Sequence, residues 1–425
     1  MHDVRELIAL GPEAVRRLAR RDHPLDLDVL EAASRRRTAA EERVSRLRAE
    51  LKAAARGGTR GAPGEEERAA ARALRDRVQE AEAEARTAGA ELTERLRTIP
   101  NLPLDEVPDG RSEKEAVEVR RGGPPVTGEA GGPHHADLGE RLGLFDGARA
   151  ARLSGARFHV SRGAGARLER AVGDFLLDLH VAHHGYTEYS VPFLVNRETM
   201  TGTGQLPKFE EDLFATRVGD RELFLIPTAE VPLTNLVAGE TLTDAELPLA
   251  FTARTPCFRS EAGSHGRDTR GLLRLHQFEK VELVRVCAPA DAPAQLELMV
   301  GHVEECLRRL ELSYRVVLLP AGDMGFSARM TYDIEVWLPG SGDFREISSV
   351  SDCGTFQARR AGIRHRDAAG RKGPAATLNG SALPIGRTVA ALLEQGCRPD
   401  GSVVLPEALV PYAGFRTLLP GGRTA

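Results

Sequence analysis

Apolar residues in the first hundred positions recur at alternating steps of three and four. The first set runs Leu30, Ala33, Arg37, Ala40, Val44, Leu47, Leu51 and Ala54. The second set runs Leu74, Val78, Ala81, Ala85, Ala88, Leu92 and Leu96. This spacing predicts two heptad helices that pack along one seam. Arg37 occupies a seam position, which the heptad pattern does not explain.

The segment GGTRGAPG, residues 57–64, separates the two predicted helices. Glycine and proline end one helix and allow the chain to reverse, so we predict an antiparallel hairpin within residues 1–110. Each arm of about 30 residues would extend roughly 45 Å at 1.5 Å per residue. That length is too great to pack entirely on a globular body, and we expect the hairpin to project as an arm.

Basic residues are in excess on the first predicted helix. From Ala32 to Arg60 there are nine Lys or Arg against three Glu, whereas the whole chain has a formal net charge of −4. Such an excess can dock on an RNA backbone. It is equally consistent with arginines that only solvate the outside of a coiled coil. Charge alone leaves both interpretations open.

The hydrophobic pattern changes twice after the hairpin. Residues 100–147 are rich in Pro, Gly and charge, which predicts a linker over residues 111–150. From residue 151 an amphipathic helix at about Gly165 to His184 is followed by short alternating strands, turns and a few helices. This order indicates an α+β domain over residues 151–425, without regular βαβ alternation.

Charged residues alternate along FRSEAGSHGRDTRGLLRLHQFEKVELV, residues 258–284. We predict two strands, Leu249 to Arg259 and Leu272 to Val286, joined by the loop Ser264 to Arg270. Residues two apart share one face of a strand. The shared face would carry Arg259, Glu261, Arg274, His276, Phe278, Lys280 and Glu282. Guanidinium groups suit phosphates, a phenyl ring suits a purine, and a carboxylate accepts from an amine or hydroxyl. The face therefore indicates a site for ATP and an amino acid, although any two of these residues alone would favour a solvated hairpin.

Composition limits the class of protein. With 425 residues, 41% of them hydrophobic, the chain can bury a sizeable core. Five widely spaced cysteines form no CxxC pair, so we expect a reducing cytoplasm. Charges interrupt every apolar run before the roughly 20 residues that a membrane helix needs, and we expect no membrane partner. Adjacent side chains in His134-His135 and His183-His184 are expected to point apart, so we predict no protein-held zinc.

These motifs resemble those of the bacterial-type seryl-tRNA synthetases, which are class II aminoacyl-tRNA synthetases. Residues 258–284 look like motif 2 of that family, and the resemblance runs from MHDVRELIALGPEAVRRLARR to DGSVVLPEALVPYAGF. It implies a serine–tRNA ligase that converts L-serine and ATP to seryl-adenylate and pyrophosphate, then transfers serine to the 3′ end of tRNA-Ser. It also implies an antiparallel coiled-coil arm that binds the tRNA, followed by a catalytic domain on a mixed, mostly antiparallel sheet with flanking helices.

The resemblance implies serine contacts in three motifs. In motif 2, Arg259 would bind the serine carboxylate and Glu282 would accept its hydroxyl. The other implied serine-binding residues are Thr228, Ala229 and Glu230 of LIPTAEVPLTN, which would line the pocket and hold the amino group, and Ser381 of the motif 3 segment TLNGSALPIGRTVAALLE.

The resemblance also assigns ATP. Arg274 would bind the terminal phosphate, Glu261 the adenine amino group, and Phe278 would stack on the adenine. Arg259 would bind the α-phosphate, and Arg387 would lie over the adenine and reach the γ-phosphate. These three arginines are the implied catalytic residues. The remaining implied ATP-binding residues are Ser260, Leu275, Ile347, Ser348, Glu346 and Ser349. The last two are also implied ligands of Mg²⁺ bound to ATP, because a hard cation takes oxygen ligands.

Motif 1 would comprise the helix that ends near His184 and the strand YTEYSVPFLVN, with Pro192 at a homodimer interface, since proline cannot donate to a sheet ladder. The chain departs from the usual family pattern at Asp352, Ala382 and Pro384. These departures motivate an alternative hypothesis, a specialised second copy that resists a seryl-adenylate-like inhibitor or supplies seryl-tRNA to a biosynthetic pathway. A non-catalytic RNA-binding relative is a third hypothesis, which the intact ATP-binding residues oppose.

Overall fold

The computed structural model describes residues 1–57, 64–126, 131–262 and 270–425, and these form two compact units, Met1–Leu102 and Pro103–Ala425. The first unit is helical. Its helices are α1 (Val4–Leu10), α2 (Pro12–Ala19), α3 (Leu27–Gly57) and α4 (Glu65–Thr98). The two predicted heptad helices are confirmed as α3 and α4. The predicted reversal in GGTRGAPG falls on residues 58–63, which lie outside the described part of the chain.

Helices α3 and α4 pack antiparallel along the predicted seam. Seam residues that are less than one-tenth exposed are Leu30, Ala33, Ala40, Leu47, Val78, Ala81, Leu92 and Leu96. Ion pairs Arg36–Glu91, Arg43–Glu84 and Arg48–Glu82 flank the seam at 3.7, 2.6 and 2.7 Å. In these pairs the α4 partner moves backwards as the α3 residue moves forwards, which is the antiparallel arrangement. Arg37 is exposed and pairs with Glu41 one turn away, so it does not enter the seam.

In its described residues, the second unit combines helices with four sheets. Its helices are α5 (His135–Arg141), α6 (Gly147–Ser154), α7 (Ala164–His183), α8 (Arg197–Thr203), α9 (Glu230–Asn235), α10 (Ala292–Arg309), α11 (Phe356–Ala361), α12 (Ile385–Gln395) and α13 (Val410–Ala413). Short 3₁₀ turns occur at Glu113–Glu115, Glu210–Asp212 and Glu407–Leu409. The helix predicted at Gly165 to His184 is confirmed as α7, within one residue at each end.

An eight-stranded sheet forms the centre of the second unit. Its strands in spatial order are β1 (Val117–Gly122), β9 (Tyr314–Leu318), β10 (Met330–Leu338), β11 (Asp343–Gly354), β14 (Ala376–Pro384), β8 (Gln277–Cys287), β7 (Leu249–Phe258) and β2 (Thr187–Glu188). Every neighbouring pair is antiparallel except β2 with β7. The prediction of a mixed, mostly antiparallel sheet in an α+β fold is confirmed.

Three small sheets accompany the central one. Their strands are β3 (Leu194–Val195), β5 (Arg221–Leu225) and β4 (Ala215–Val218); β13 (Lys372–Pro374), β12 (Arg364–Arg366) and β6 (Thr241–Thr243); and β15 (Val403–Val404), β16 (Thr417–Leu419) and β17 (Arg423–Thr424). Across the described residues we find no helix that is both long enough and apolar enough to cross a membrane.

The alternation along β8 divides the core between the two faces of the central sheet. Val281 and Leu283 pack into the large apolar cluster that also holds α7, α10 and α12. Val284 and Val286 pack into a smaller cluster with residues of α9 and α11. Lys280 and Glu282 share the even-numbered face with the second cluster. Lys280 and Glu282 therefore lie on the side of the sheet that α9 and α11 cover.

Two segments differ from the sequence-based expectations. Residues 111–150, predicted as a linker, contain β1, which pairs with β9 at the sheet edge, and also α5 and the first half of α6. Their Pro- and Gly-rich flanks concealed this structure, and the compact units divide at Leu102 and Pro103 instead. The strand predicted over YTEYSVPFLVN is wrong as one element. It is two short strands, β2 and β3, which pair with different sheets.

The predicted start of the second motif 2 strand is also wrong. Strand β8 begins at Gln277 rather than Leu272, so Arg274 and His276 precede it. The backbone of the preceding segment bonds partly to side chains. Leu272 donates its N–H to His135 at 3.1 Å, and Leu273 accepts from Arg387 through its carbonyl at 3.1 Å. His276 instead accepts the backbone N–H of Arg259 and donates to the carbonyl of Arg157, both at 2.9 Å. Most of the predicted loop, residues 264–269, lies outside the described part of the chain.

Candidate active site

A pocket of about 880 Å³ lies against the even-numbered face of β8. It brings together side chains from β8, β11 and β14 and from the segments that precede α9 and follow β7. The sequence-predicted residues that line it are Thr228, Glu230, Arg259, Glu261, Arg274, Glu282, Glu346, Ser349 and Ser381. Residues far apart in the chain therefore meet at one place, which the alternation pattern alone did not establish.

Lys280 is the centre of a buried polar network at the floor of the pocket. Its Nζ donates to Thr228 Oγ1 at 3.1 Å and to Ser381 Oγ at 3.0 Å, and it forms an ion pair with Glu282 Oε2. An ammonium group has three N–H donors, so all three have acceptors. Lys280 and Glu282 are 5% and 1% exposed. The lysine thus holds together three of the side chains that the resemblance assigned to serine.

Glu282 retains one oxygen for a ligand. Its Oε2 accepts from Thr228 Oγ1 at 2.9 Å, whereas Oε1 is buried and has no hydrogen-bond partner among the described residues. A buried carboxylate oxygen without a partner costs free energy unless something donates to it. The pocket therefore contains an acceptor that is suited to the hydroxyl or ammonium group of a bound molecule.

Glu230 is a second buried carboxyl of the pocket. It begins α9, accepts from Gln357 Nε2 at 2.6 Å, and donates its backbone N–H to Thr228 Oγ1 at 3.2 Å. Burial, together with the nearby charge of Glu282, raises the pKa of Glu230 to about 7. Its charge is thus sensitive to pH near neutrality and would be stabilised by a cationic ligand group.

Arginine side chains occupy the side of the pocket where β7 ends. Arg259 donates through Nε to the carbonyl of Pro227 at 3.3 Å, and its guanidinium carbon lies 5.3 Å from the ring centroid of Phe278. Arg274 pairs with Glu261 at 2.9 Å. Glu261 has a φ of 54°, so the period-2 alternation predicted for Arg259 and Glu261 does not extend to it. Both residues still reach the pocket.

Glu346 and Ser349 line the pocket from β11, although they are three residues apart. In an unbroken strand such residues point to opposite faces. The ladder with β10 shifts between Glu346 and Ser348, which leaves Ile347 as an extra residue. This β-bulge brings Glu346 and Ser349 to the same face. Buried behind them, Asp333 interacts with Ser349 and has a pKa raised well above its ordinary value by burial and by Glu346.

Arg387 lies near the start of α12 and does not itself line the pocket of about 880 Å³, but it contacts Glu346, which does. Its Nη1 donates to the carbonyl of Glu346 at 2.7 Å and lies 3.3 Å from the Glu346 carboxylate. Partial burial alone would raise the pKa of Glu346, but Arg387 and Arg259 hold it below its ordinary value. Glu346 is therefore ionised at neutral pH, next to two fixed cations.

Other predicted residues lie outside this pocket. Leu275 and Phe278 line a second pocket of about 360 Å³. Ala229, Ile347 and Ser348 are almost completely buried, and Ser348 donates to the Ser381 carbonyl at 2.6 Å. Ser260 donates to the Glu211 carbonyl at 2.7 Å, which ties the start of motif 2 to the 3₁₀ turn at Glu210–Asp212.

Sequence reasoning missed several residues of the pocket. Lys280 was placed on the correct face but was given no role. Asn379 alternates with Ser381 along β14 and lines the pocket beside it, so the same period-2 signal would have found it. Gln205 and Asp212 come from segments without regular periodicity, and no local pattern marks them.

The expectation that adjacent histidines point apart is wrong for His134 and His135, whose ring centroids lie 4.1 Å apart. With Glu394 they form a group whose possible ligand atoms all lie within 4.8 Å of one another. His184 instead contacts His180, one turn earlier on α7, at 2.9 Å. The first of these clusters is considered again below.

The departures from the family pattern have structural explanations at two positions. Asp352 is 1% exposed, pairs with Arg329 at 2.8 Å and accepts from the N–H of Gly354 at 2.6 Å. Pro384 precedes α12, and its carbonyl accepts from Thr388 Oγ1 at 2.8 Å. Ala382 is fully buried at the bulge where β14 shifts register against β8. None of the three lines the pocket of about 880 Å³.

An antiparallel sheet that carries paired arginines, acidic residues and a buried polar pocket is the architecture of a class II aminoacyl-tRNA synthetase. Consistent with it, residues 209–396 match the family model described as the tRNA synthetase class II core domain for G, H, P, S and T.

The chain is 74% identical to serine–tRNA ligase 2 of Streptomyces avermitilis, over the full length of both proteins. It is 50% identical to the serine–tRNA ligase of Nitratidesulfovibrio vulgaris, over 96% of this chain and 97% of that protein. The crystal structure of Pyrococcus horikoshii seryl-tRNA synthetase complexed with ATP superimposes with a TM-score of 0.87 at 33% identity, over 99% of this chain and 100% of that one. The chain therefore belongs to the seryl-tRNA synthetase family.

Proposed function

We propose that this protein activates L-serine with ATP, giving seryl-adenylate and pyrophosphate, and then transfers the seryl group to the 3′ end of tRNA-Ser. The observation that carries the proposal is the network of Lys280 with Thr228, Glu282 and Ser381, which leaves one buried carboxylate oxygen for a ligand beside two arginines. A small molecule with a hydroxyl, an amino and a carboxylate group matches these charges.

Each group of serine has a complementary partner in the pocket. Glu282 Oε1 accepts the hydroxyl, Glu230 and Thr228 hold the amino group with the adjacent Ala229 backbone, and Arg259 binds the carboxylate. Ser381 completes the contact from β14. Alanine would leave Glu282 Oε1 without a donor, and a site built to bind a hydroxyl rejects analogues that lack it.

ATP occupies the arginine-rich side of the same pocket. Arg259 binds the α-phosphate, Arg274 the terminal phosphate, Glu261 the adenine amino group, and Phe278 and Arg387 contact the adenine from either side. The same chain segments also carry the remaining proposed ATP-binding residues, Ser260, Leu275, Ile347 and Ser348. Glu346 and Ser349 offer the oxygen donors that Mg²⁺ prefers, and the lowered pKa of Glu346 fits this role. When bound with ATP, the cation would supply positive charge to the phosphates.

The fixed cations of the chain account for the chemistry. The serine carboxylate attacks the α-phosphorus in line, and the bond to the leaving pyrophosphate breaks. Arg259, Arg274 and Arg387 stabilise the charge that develops on the phosphate oxygens. The ribose hydroxyl of the tRNA 3′ end then attacks the seryl carbonyl, and AMP leaves. No side chain has to act as a nucleophile.

The helical unit supplies the tRNA contact in this proposal. Arg46, Lys52 and Arg56 are exposed on α3, and no ion pair joins them to a carboxylate within residues 1–57 and 64–102. Arg36, Arg43 and Arg48, in contrast, pair across to α4. Cations without acidic partners can neutralise RNA phosphates, and this supports RNA docking over simple solvation.

A homodimer interface at Pro192 is supported by exposed apolar side chains around it. Tyr189, Phe193 and Leu194 are 37%, 45% and 43% exposed. Neighbouring apolar residues at a surface are typical of an interaction site.

Location in a reducing cytoplasm stays a prediction from the spacing of the five cysteines.

The specialised second copy is not needed to account for the site, because the charged residues assigned to serine and ATP, except Arg387, line one pocket, and Arg387 contacts Glu346 of that pocket. The same residues oppose the non-catalytic hypothesis.

Serine-dependent ATP–pyrophosphate exchange and charging of tRNA test the proposal. Deletion of residues 30–96 should leave exchange largely intact and abolish charging. Absence of exchange by the full chain would refute the activity, and charging by the deletion variant would refute the role of the arm.

A further inference from the structure

His135 and Glu394 form a fully buried pair between α5 and α12. His135 Nδ1 lies 2.7 Å from Glu394 Oε1, and both side chains are 0% exposed. The same carboxylate accepts the backbone N–H of His135 at 3.0 Å and, through Oε2, that of Gly340 at 2.7 Å. Both oxygens of Glu394 therefore have donors, and the pair joins α5 to the C-terminal half of α12.

The other ring nitrogen of His135 reaches the segment that carries Arg274. His135 Nε2 accepts the backbone N–H of Leu272 at 3.1 Å, so Nδ1 carries the proton and donates to Glu394. Gly271 has a φ of 85°, and a Cβ there would lie 2.1 Å from His135 Nε2. Only glycine allows this close approach with this backbone conformation.

The same helix holds this segment at a second point. Arg387 donates through Nε to the carbonyl of Leu273 at 3.1 Å, and Arg387 and Glu394 are seven residues apart on α12. Residues at this spacing lie on one face of a helix. One face of α12 thus fixes Leu273 directly and Leu272 through His135. Arg274 follows immediately and enters the pocket paired with Glu261 at 2.9 Å.

We propose that His135 and Glu394 are positioning residues for adenylate formation, because they tether the backbone at Leu272 and so place the Arg274 guanidinium for the ATP phosphates. The proposal rests on the function proposed above. A metal site at His134, His135 and Glu394 is disfavoured, because His135 Nδ1 and Nε2 and both Glu394 oxygens already have hydrogen-bond partners.

The decisive variant is His135→Asn in the full chain. An asparagine amide nitrogen takes the place of Nδ1 and still donates to Glu394, but nothing reaches Leu272. Packing of α5 on α12 is kept while the tether is lost. We expect the KM for ATP in pyrophosphate exchange to rise about three- to tenfold, as for one lost hydrogen bond to a buried group. The KM for serine should stay close to that of the parent protein, and the thermal midpoint should fall by only about 2–4 °C for each kcal/mol lost.

Two further variants complete the test. His135→Gln can donate to Glu394 and accept from Leu272, and it should restore the KM for ATP. Gly271→Ala breaks the same tether from the loop side and should raise that KM even if His135→Asn fails to fold. The matched control is His365→Asn, which removes another histidine–carboxylate pair, with Asp244 at 2.5 Å, remote in the fold on β12.

The outcomes separate this proposal from the function on which it rests. If the parent protein shows no serine-dependent exchange, the proposed function is wrong. If it is active and both His135→Asn and Gly271→Ala keep its KM for ATP, the tether has no positioning role. An equal rise in the KM for serine and the KM for ATP would also overturn the proposal, because it would indicate general damage to the pocket. A selective rise that His135→Gln reverses would support it.

Discussion

Replacement of Lys280 by methionine tests the buried network most directly. Methionine keeps most of the length of the side chain and removes the ammonium group. Thr228 and Ser381 then lose a donor at 3.1 and 3.0 Å, and Glu282, which is 1% exposed, loses its counter-charge. A buried carboxylate without a counter-charge is destabilised, so the contact that Glu282 offers to the serine hydroxyl is weakened.

The size of the effect follows from the burial of the pair. Removal of one partner of a buried ion pair costs about 3–5 kcal/mol of stability, because the other charge stays buried. If about 2 kcal/mol of this is lost from serine binding in the transition state, kcat/KM for serine falls about 30-fold, since each 1.4 kcal/mol is a factor of about ten. The KM for ATP should change much less, because Lys280 contacts only residues assigned to serine.

The assay is serine-dependent ATP–pyrophosphate exchange at varied serine and varied ATP, with denaturant unfolding in parallel. Lys372→Met, an exposed lysine on β13, is the matched control. The double variant Lys280→Met with Glu282→Gln removes both charges, so it should recover stability without recovering activity. A serine KM within about twofold of the parent value in Lys280→Met, which is the range of neutral surface substitutions, would refute this account of the pocket.

Three further predictions concern the other parts of the site. Burial raises the pKa of Glu230 to about 7, from an ordinary value of 4.5. Between these two pH values the folded protein keeps a proton on Glu230, whereas the unfolded protein has released it. The free energy of unfolding should therefore fall as pH rises through that window, whereas kcat/KM for serine should rise with an apparent pKa near 7. Glu230→Gln should abolish both pH dependences. If kcat/KM for serine in the parent protein did not change with pH, this assignment of Glu230 would be contradicted. Arg274→Ala should raise the KM for ATP at least about tenfold with little change in the KM for serine, as expected for loss of a charge-assisted bond to phosphate. An unchanged KM for ATP in exchange assays would contradict the assignment of Arg274 to the phosphates. Replacement of the α3 cations Arg46, Lys52 and Arg56 by Glu should weaken tRNA binding. The slope of the logarithm of the tRNA binding constant against the logarithm of the salt concentration should become smaller by up to about three, while ATP–pyrophosphate exchange without tRNA stays at the parent rate. Unchanged tRNA binding would show that these residues do not contact the RNA.

Much of the fold was predictable because its signals are local. The heptad spacing of α3 and α4 and the amphipathic pattern of α7 depend on residues within a few turns of one another. The alternation of Lys280 with Glu282 placed both on one face of β8 for the same reason. The strand–helix order around Ser381 and Arg387 was likewise visible, and the structure has β14 running directly into α12.

The pocket itself depended on contacts that no local pattern records. The bulge at Ile347 brings Glu346 and Ser349 to one face, and it is set by the ladder with β10. Leu272, which precedes β8, is bonded to His135, 137 residues away in the chain. The role of Lys280 arises only where Thr228 and Ser381, 52 and 101 residues away, meet its ammonium group. The sequence by itself determined the helices, the face of β8 and the resemblance to a family, because these depend on neighbouring residues. Only the tertiary structure decided which polar atoms are paired and which one stays available to a ligand, because hydrogen-bond partners in a buried site come from distant parts of the chain.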